Sequence, residues 1–218
     1  MTAAFLLLIL FLLLLIGVPV AISLGFASIT TMMLFGNQSL LSLAQKFFHT
    51  MQVYPLLAVP FFILAGAFMT TGGVAKRMID FANAIVGHYR GGLAMAALLA
   101  SAFFAAVSGS APATVVAVGS VMIVGMINSG YSKSFSAGVI CNAGTLGILI
   151  PPSIVMVVYA AVTEVSVGRM FMAGVVPGLM LGLMLMAAVW WRAGKLQLTP
   201  PPKASLGEVL RALVDSFW

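Results

Sequence analysis

The chain has 218 residues, 62% of them hydrophobic and only 6% charged, against about 25% charged in a soluble domain; it reads as an integral membrane protein. Its net charge of +6 does not indicate a nucleic-acid partner, because the basic residues stand singly in connections and no basic patch is interleaved with aromatics. They fit the positive flanks of membrane helices, and the single cysteine, Cys141, excludes an internal disulfide or a cysteine zinc site.

Residues 3–33 predict one over-long first helix, kinked at Gly17-Val18-Pro19. No basic residue precedes it and its apolar run exceeds a signal h-region, so it is expected to be retained rather than cleaved. Residues 37–52 are polar enough to lie at a surface. Residues 54–71 predict a second span ending at Gly72-Gly73. Residues 74–90 then set Lys76, Arg77, Asp80 and Arg90 against Met78, Ile79, Ala82, Ile85 and Val86. That is the pattern of an amphipathic helix along the interface; a third crossing is the alternative.

Residues 91–132 next bring a charge-free run whose middle reads Ser108-Gly109-Ser110-Ala111-Pro112. Each flanking apolar arm has about 16 residues and reaches about 24–26 Å at 1.5 Å per residue, short of the roughly 30 Å hydrocarbon core. Two short arms around a polar, helix-breaking tip predict a re-entrant hairpin. Non-helical backbone at that depth survives only against protein or a water-filled cavity.

A second uncharged run, residues 134–163, is interrupted at Asn142-Ala143-Gly144-Thr145 and again at Pro151-Pro152-Ser153. Pro-Pro removes two backbone donors and its rings clash with the preceding turn, so one discontinuous spanning helix is expected. The last span covers residues 170–191. Gly174, Gly178 and Gly182 fall four apart on one face, the close-packing spacing of membrane helices, and Trp190 and Trp191 mark its interface end. A linker with Pro200-Pro201-Pro202 follows. Ser205 and Glu208 have capping-box spacing, opening a short helix with Leu206, Val209, Leu210, Leu213 and Phe217 on one side.

With four crossings and a cytoplasmic N-terminus, Lys76, Arg77, Arg90, Lys133, Arg192, Lys195, Lys203 and Arg211 fall inside; only Lys46 and Arg169 fall outside. The positive-inside rule selects that orientation, and the hairpin then enters from the cytoplasmic side.

The two breaks predict an electrostatic arrangement. The first arm directs carbonyls at the tip; the second, with Ser110 as N-cap and Pro112 in its first turn, directs free N–H groups at the same place. The discontinuous helix repeats this, its first half expected to end near residues 142–144 and its second to begin around 151–153. Carbonyl ends suit a cation and amide ends an anionic group, as in secondary transporters. No Asp, Glu, Lys, Arg or His lies inside the expected spans. Proton coupling usually uses such a group, whereas Na⁺ needs only oxygens, which Ser108, Ser110, Asn142, Thr145 and the open carbonyls supply. The coupling ion is therefore expected to be Na⁺. Two other readings compete: the breaks are mere kinks in a packing or channel module, or Ser108 or Ser110 is a hydrolase nucleophile. The latter needs a base within reach, and His49 and His88 fall in connections. The many methionines, such as Met180, Met184 and Met186, read as packing filler.

Several motifs carry a family likeness. Pro60-Phe61-Phe62-Ile63-Leu64-Ala65-Gly66, Gly91-Gly92-Leu93, Ser108-Gly109-Ser110-Ala111, Leu149-Ile150-Pro151-Pro152-Ser153 and Phe171-Met172-Ala173-Gly174 resemble, in order, the large membrane subunit of tripartite ATP-independent periplasmic (TRAP) transporters. The motifs Asn142-Ala143-Gly144-Thr145-Leu146-Gly147-Ile148 and Glu164-Val165-Ser166-Val167-Gly168-Arg169 look most like its C4-dicarboxylate branch; sialic acid and other sugar-acid branches share much of the pattern.

The resemblance implies an all-α integral membrane fold: about four spanning helices, a re-entrant hairpin and interfacial helices, forming the N-terminal half of an inverted-repeat, elevator-type importer. Residues 1–90 would be scaffold, 91–130 the hairpin, 131–163 the discontinuous helix, 170–192 the last span and 195–218 a cytoplasmic linker helix. It implies a multi-pass location in a bacterial inner membrane and no enzymatic activity. The implied partners are the lipid bilayer, a small TRAP membrane subunit, a periplasmic substrate-binding protein and a missing C-terminal half. Carried over by motif, Ser108, Gly109, Ser110, Asn142, Gly144, Thr145 and Gly147 would hold Na⁺, and Ser110, Ala111, Pro112, Thr114, Pro152 and Ser153 one side of the substrate.

Overall fold

A computed structural model describes residues 2–36, 40–194 and 202–216, with no strand among them. The features expected at Lys195, at Pro200-Pro201 and at Phe217 lie outside the described residues, as do residues 37–39 of the polar stretch. Chain contacts divide the molecule into two compact units, Met1–Val53 and Tyr54–Trp218.

The first unit holds α1 (Thr2–Leu15), α2 (Val20–Phe35) and α3 (Leu40–Met51). The expected single kinked helix over residues 3–33 is instead two antiparallel helices. Val18 N–H donates to the Leu13 carbonyl and Gly17 N–H to Leu14, both at 3.0 Å, with Gly17 at φ 86°. This is a Schellman cap, in which a glycine in the left-handed region reverses the chain, and Pro19 cannot extend the preceding helix. Phe5 and Phe35, from the far ends of the pair, meet edge to face at 5.1 Å. The helix α3 places Gln45, Lys46 and His49 on an amphipathic segment, in keeping with its surface character.

The second unit is built around α6 (Gly92–Ser108). Ala94, Ala96, Ala97, Ala100 and Ala105 are fully buried, and these small side chains let neighbours approach α6 from all sides. One neighbour is α5 (Val74–Val86), which buries Ala75, Ile79 and Ala82 and turns its charged side outward, as the amphipathic pattern predicts. Another is α7 (Ala111–Asn128). Only Gly109 and Ser110 separate it from α6, so the chain enters and leaves this hairpin on one side. The arms have 17 and 18 residues. At the mouth, the buried Tyr131 takes a hydrogen bond from the backbone of Ala94, and burial pushes its phenol pKa up. Tyr131 thereby caps the open end of α6, whose N-cap Gly91 offers no side chain.

The discontinuous helix comprises α8 (Lys133–Gly144), α9 (Leu146–Leu149) and α10 (Ile154–Val162). Both expected interruptions are present. The helix α8 ends at Gly144, with Thr145 as a turn at a helical φ of −63°; the short α9 follows, and residues 150–153 form the second, irregular interruption. The second half leaves at 41° to the first. The second unit also contains α4 (Tyr54–Thr71), which matches the expected second span, and α11 (Val167–Ala193), the last one. Three helices, α4, α7 and α11, are long and apolar enough to cross a membrane, and the bent pair makes a fourth candidate. The glycine stripe of α11 performs the packing its spacing implies: Gly174 and Gly178 lie against the Leu149 carbonyl and Ile150, with Gly182 near Leu146. Finally, α12 (Leu206–Ser216) packs beside α5. Its capping box is formed, with Ser205 N–H donating to Glu208 Oε2 at 2.7 Å and Glu208 N–H to Ser205 Oγ at 3.3 Å; the Ser205 backbone N–H, helped by the Ser205 hydroxyl, holds the Glu208 carboxyl below the usual glutamate range.

Two outcomes follow from this packing. A methyl at Gly174 would stand 2.7 Å from the Leu149 carbonyl oxygen, whereas one at Gly182 meets nothing closer than 3.8 Å. Gly174→Ala should therefore cost about 1–3 kcal/mol and Gly182→Ala about 0.5 kcal/mol or less, measured by thermal unfolding in detergent. The raised Tyr131 pKa means that the folded state favours the neutral phenol. Its contribution is complete below the ordinary tyrosine range and is lost as pH rises through the folded value. Stability should fall at strongly alkaline pH, and Tyr131→Phe should flatten that part of the profile.

Candidate functional site

The two breaks meet. Ile154 N–H donates to the Gly109 carbonyl at 3.0 Å, joining the first turn of α10 to the hairpin tip. Gly109 ends α6 at φ 62°, with its N–H on Ala105 O at 2.9 Å. A side chain at that φ is strained, and a methyl would also stand 2.7 Å from the Pro152 carbonyl oxygen. On the other side of the tip, Gly147 packs so close that an added methyl would lie 2.9 Å from Ala111 N and 3.0 Å from Ser110 C. Gly144 packs against Val115 and the Ala111 carbonyl. Three glycines thus let bare backbone from the tip, from α8–α9 and from residues 150–153 converge. The Pro151-Pro152 peptide is cis.

The hydroxyls at this junction are arranged unevenly. Ser110 adopts extended backbone (φ −129°, ψ 119°) and caps α7, its Oγ accepting from Ala113 N–H at 3.4 Å. Thr114 is fully buried and donates to the Ser110 carbonyl at 2.8 Å. Ser108, also fully buried, lies 3.4 Å from Thr114 Oγ1 and accepts from Ser110 N–H at 3.5 Å. Ser153, the N-cap residue of α10, makes no cap bond, and its fully buried Oγ has no hydrogen-bond partner among the described residues. A buried hydroxyl left unpaired costs about 1–3 kcal/mol. The pair of helix N-termini, α7 and α10, and the backbone carbonyls beside them form a compact set of oxygens and N–H groups with no charged side chain.

Of the residues expected here from sequence, Ser108, Gly109, Ser110, Ala111, Thr114, Gly144, Gly147, Pro152 and Ser153 are brought together. The other three are exposed. Asn142 donates its amide to Gly138 O at 2.7 Å, and Thr145 donates its hydroxyl to Asn142 O at 2.6 Å; both side chains are exposed. Pro112 is exposed as well. Asn142 lines a separate crevice of about 460 Å³ that runs past Ser134 and Leu98 to Arg192. Gly66 of α4, its Cβ position 3.5 Å from the Ser108 side chain, escaped the sequence reading as part of the junction; a lone glycine among large apolar residues was the available signal. Neither Ser108 nor Ser110 has a histidine or lysine among its hydrogen-bond partners in the described residues. The packing-module reading requires the breaks to face different neighbours, and they face each other.

A helical hairpin seated on a broken helix, in an apolar and almost uncharged chain, defines a multi-pass membrane protein built on the plan of the broken-helix secondary transporters. The chain matches, over residues 7–218, the family described as tripartite ATP-independent periplasmic transporter, DctM component, and it belongs to that family. It is 62% identical over 196 residues to the C4-dicarboxylate TRAP transporter large permease protein DctM of Pseudomonas aeruginosa, covering 90% of this chain and 46% of that protein. The protein of the same name from Vibrio cholerae is 59% identical, with 93% and 45% covered. The sialic acid TRAP transporter permease protein SiaT of Haemophilus influenzae is 35% identical, with 93% and 33% covered. The chain spans about half or less of the length of these relatives.

The junction makes a contrast that can be measured. Gly109→Ala should destabilise by about 2–4 kcal/mol, combining backbone strain with overpacking. Gly25→Ala, at a helical site with nothing within 4 Å, should be neutral or stabilising by about 0.4–1 kcal/mol. Chemical denaturation monitored by circular dichroism compares the two.

Proposed function

We propose that this chain forms one half of a Na⁺-coupled importer of small carboxylates, and that the hairpin–break junction is its half of the ion and substrate site. The observation that carries the reading is the unpaired, fully buried Ser153 hydroxyl beside the Gly109–Ile154 backbone contact. The carbonyls and hydroxyls there suit a cation that needs oxygen ligands, and the N-termini of α7 and α10 suit a carboxylate. Ser108, Gly109, Ser110, Gly144 and Gly147 would surround the ion. Ser110, Ala111, Thr114, Pro152 and Ser153 would face the substrate. Asn142 and Thr145 would add oxygens for the ion, and Pro112 would line the substrate side, from the exposed rim of the junction.

The substrate class follows from the relatives: those at 62% and 59% identity carry C4-dicarboxylate in their names, and a 35% relative carries sialic acid. A C4-dicarboxylate is therefore the leading substrate and a sugar acid the alternative. The remaining half of the permease, a small membrane subunit and a periplasmic binding protein would complete the machine in a bacterial inner membrane. The hairpin mouth, flanked by Arg90, Lys133 and Arg192, would face the cytoplasm by the positive-inside rule, and the hairpin with the broken helix would move as one body. Catalysis of a chemical reaction has no place in this reading.

Ser153→Ala separates a ligand role from a structural one. Removing an unpaired hydroxyl should leave stability unchanged or raise it by about 1 kcal/mol, while succinate affinity and Na⁺-dependent succinate uptake by the completed transporter fall about tenfold. A loss of stability with unchanged succinate uptake would show instead that the hydroxyl has a structural partner. In the same proteoliposomes, uptake driven equally well by a proton gradient alone would remove Na⁺ from the mechanism.

A further inference from the structure

We propose that α12 is a membrane-surface strap: it lies in the interface of the bilayer leaflet at the hairpin-mouth end of the second unit, with the edge Leu206, Leu210 and Val214 in lipid, and holds α5 in that plane. This helix has three sides. Val209, Ala212, Leu213 and Ser216 are half-buried, the side on which it packs beside α5. Leu206, Leu210 and Val214 are 84%, 61% and 59% exposed and recur every fourth residue, so they form one apolar edge. Glu208, Arg211 and Asp215 make up the third side, where together with Arg77 and Asp80 of α5 they line an open groove of about 520 Å³.

Two amphipathic helices that open their charged sides into one groove share a water-facing direction. At 3.6 residues per turn, Glu208 and Asp215 stand opposite the apolar edge, while Arg211 is nearer to it. Acidic groups are thus held away from lipid phosphates and a cation is held near them, the charge order of a helix lying on a bilayer surface. The level in the membrane is set by the packing. The other side of α5 covers α6, and Gly91, at the start of α6, touches Ala193 at the end of α11. Trp190 and Trp191, one turn earlier, are both exposed, as residues of an interfacial aromatic belt are. The apolar edge therefore continues the lipid-facing surface of the spans.

The test uses the chain in lipid nanodiscs, in a Cys141→Ser background, with single cysteines carrying bimane at positions 206, 210, 214, 208 and 215. Headgroup-level doxyl lipid should quench probes at 206, 210 and 214 at least about twofold more than probes at 208 and 215, as expected for a face buried to about 5–10 Å, and aqueous iodide should show the reverse order. Probes at 206, 210 and 214 open to iodide and untouched by doxyl lipid would overturn the proposal, because the edge would face water. Shielding from both quenchers would overturn it equally, because a protein surface would cover the edge. Equal quenching at all five positions would mean that α12 has no membrane-facing side.

Discussion

The contact on which the second unit depends is made by backbone, not by side chains. The Gly109 carbonyl accepts from Ile154 N–H, and this bond ties two interrupted segments into one body. Inside an apolar medium an unpaired peptide group costs several kcal/mol. A broken helix can exist at membrane depth only where another element supplies its missing partner. Here each break supplies part of what the other lacks, and the approach is possible because Gly109, Gly144 and Gly147 present no side chain where Pro152, Ala111 and Val115 come close.

The rest of the unit serves that contact. The alanine-lined α6 lets α5, α7, α8 and α11 crowd round the first arm, so the tip is positioned by packing along the whole hairpin. Tyr131 ties the mouth to the first turn of α6. The glycine face of α11 closes on Leu149 and Ile150, which braces the opposite side of the break. Three buried side-chain atoms have no hydrogen-bond partner among the described residues, His88 Nδ1, Ser101 Oγ and Ser153 Oγ, and of these it is the Ser153 hydroxyl that lies at the junction. Its position at the N-terminus of α10, next to the hairpin tip, makes the junction a place of unsatisfied polar capacity in a nearly charge-free environment. That is the physical requirement for holding a small ion or a carboxylate without a permanent charge in the membrane.

Much of this was legible in the residues. The hairpin arms, the tip at Gly109-Ser110, the amphipathic α5, the glycine stripe and the capping box all rest on local rules, and each appears at or within a few residues of its expected place. One expectation failed at a glycine. The first helix was expected to kink at Gly17-Val18-Pro19, but glycine and proline there form a full reversal, and sequence does not say whether such a pair bends a helix or turns it back. At Asn142-Ala143-Gly144-Thr145 the helix does end, at Gly144. Gly144 and Gly147 also admit the close approach of α7, a second role that spacing along one segment does not announce.

By itself, the sequence determined the chemistry available: an apolar chain, no Asp, Glu, Lys, Arg or His in its expected spans, two helix-breaking motifs flanked by short arms, and hydroxyls beside them. These follow from composition and from spacing along one segment. Only the tertiary structure decided that the two motifs face each other, that Ser108 and Thr114 are paired while Ser153 is not, and that Asn142 and Thr145 bond within their own segment. Those outcomes depend on which helices pack against which, and on where a missing Cβ allows backbones to touch. Contacts between residues some 45 positions apart in the chain, such as Gly109 and Ile154, are fixed by long-range packing that no local pattern encodes.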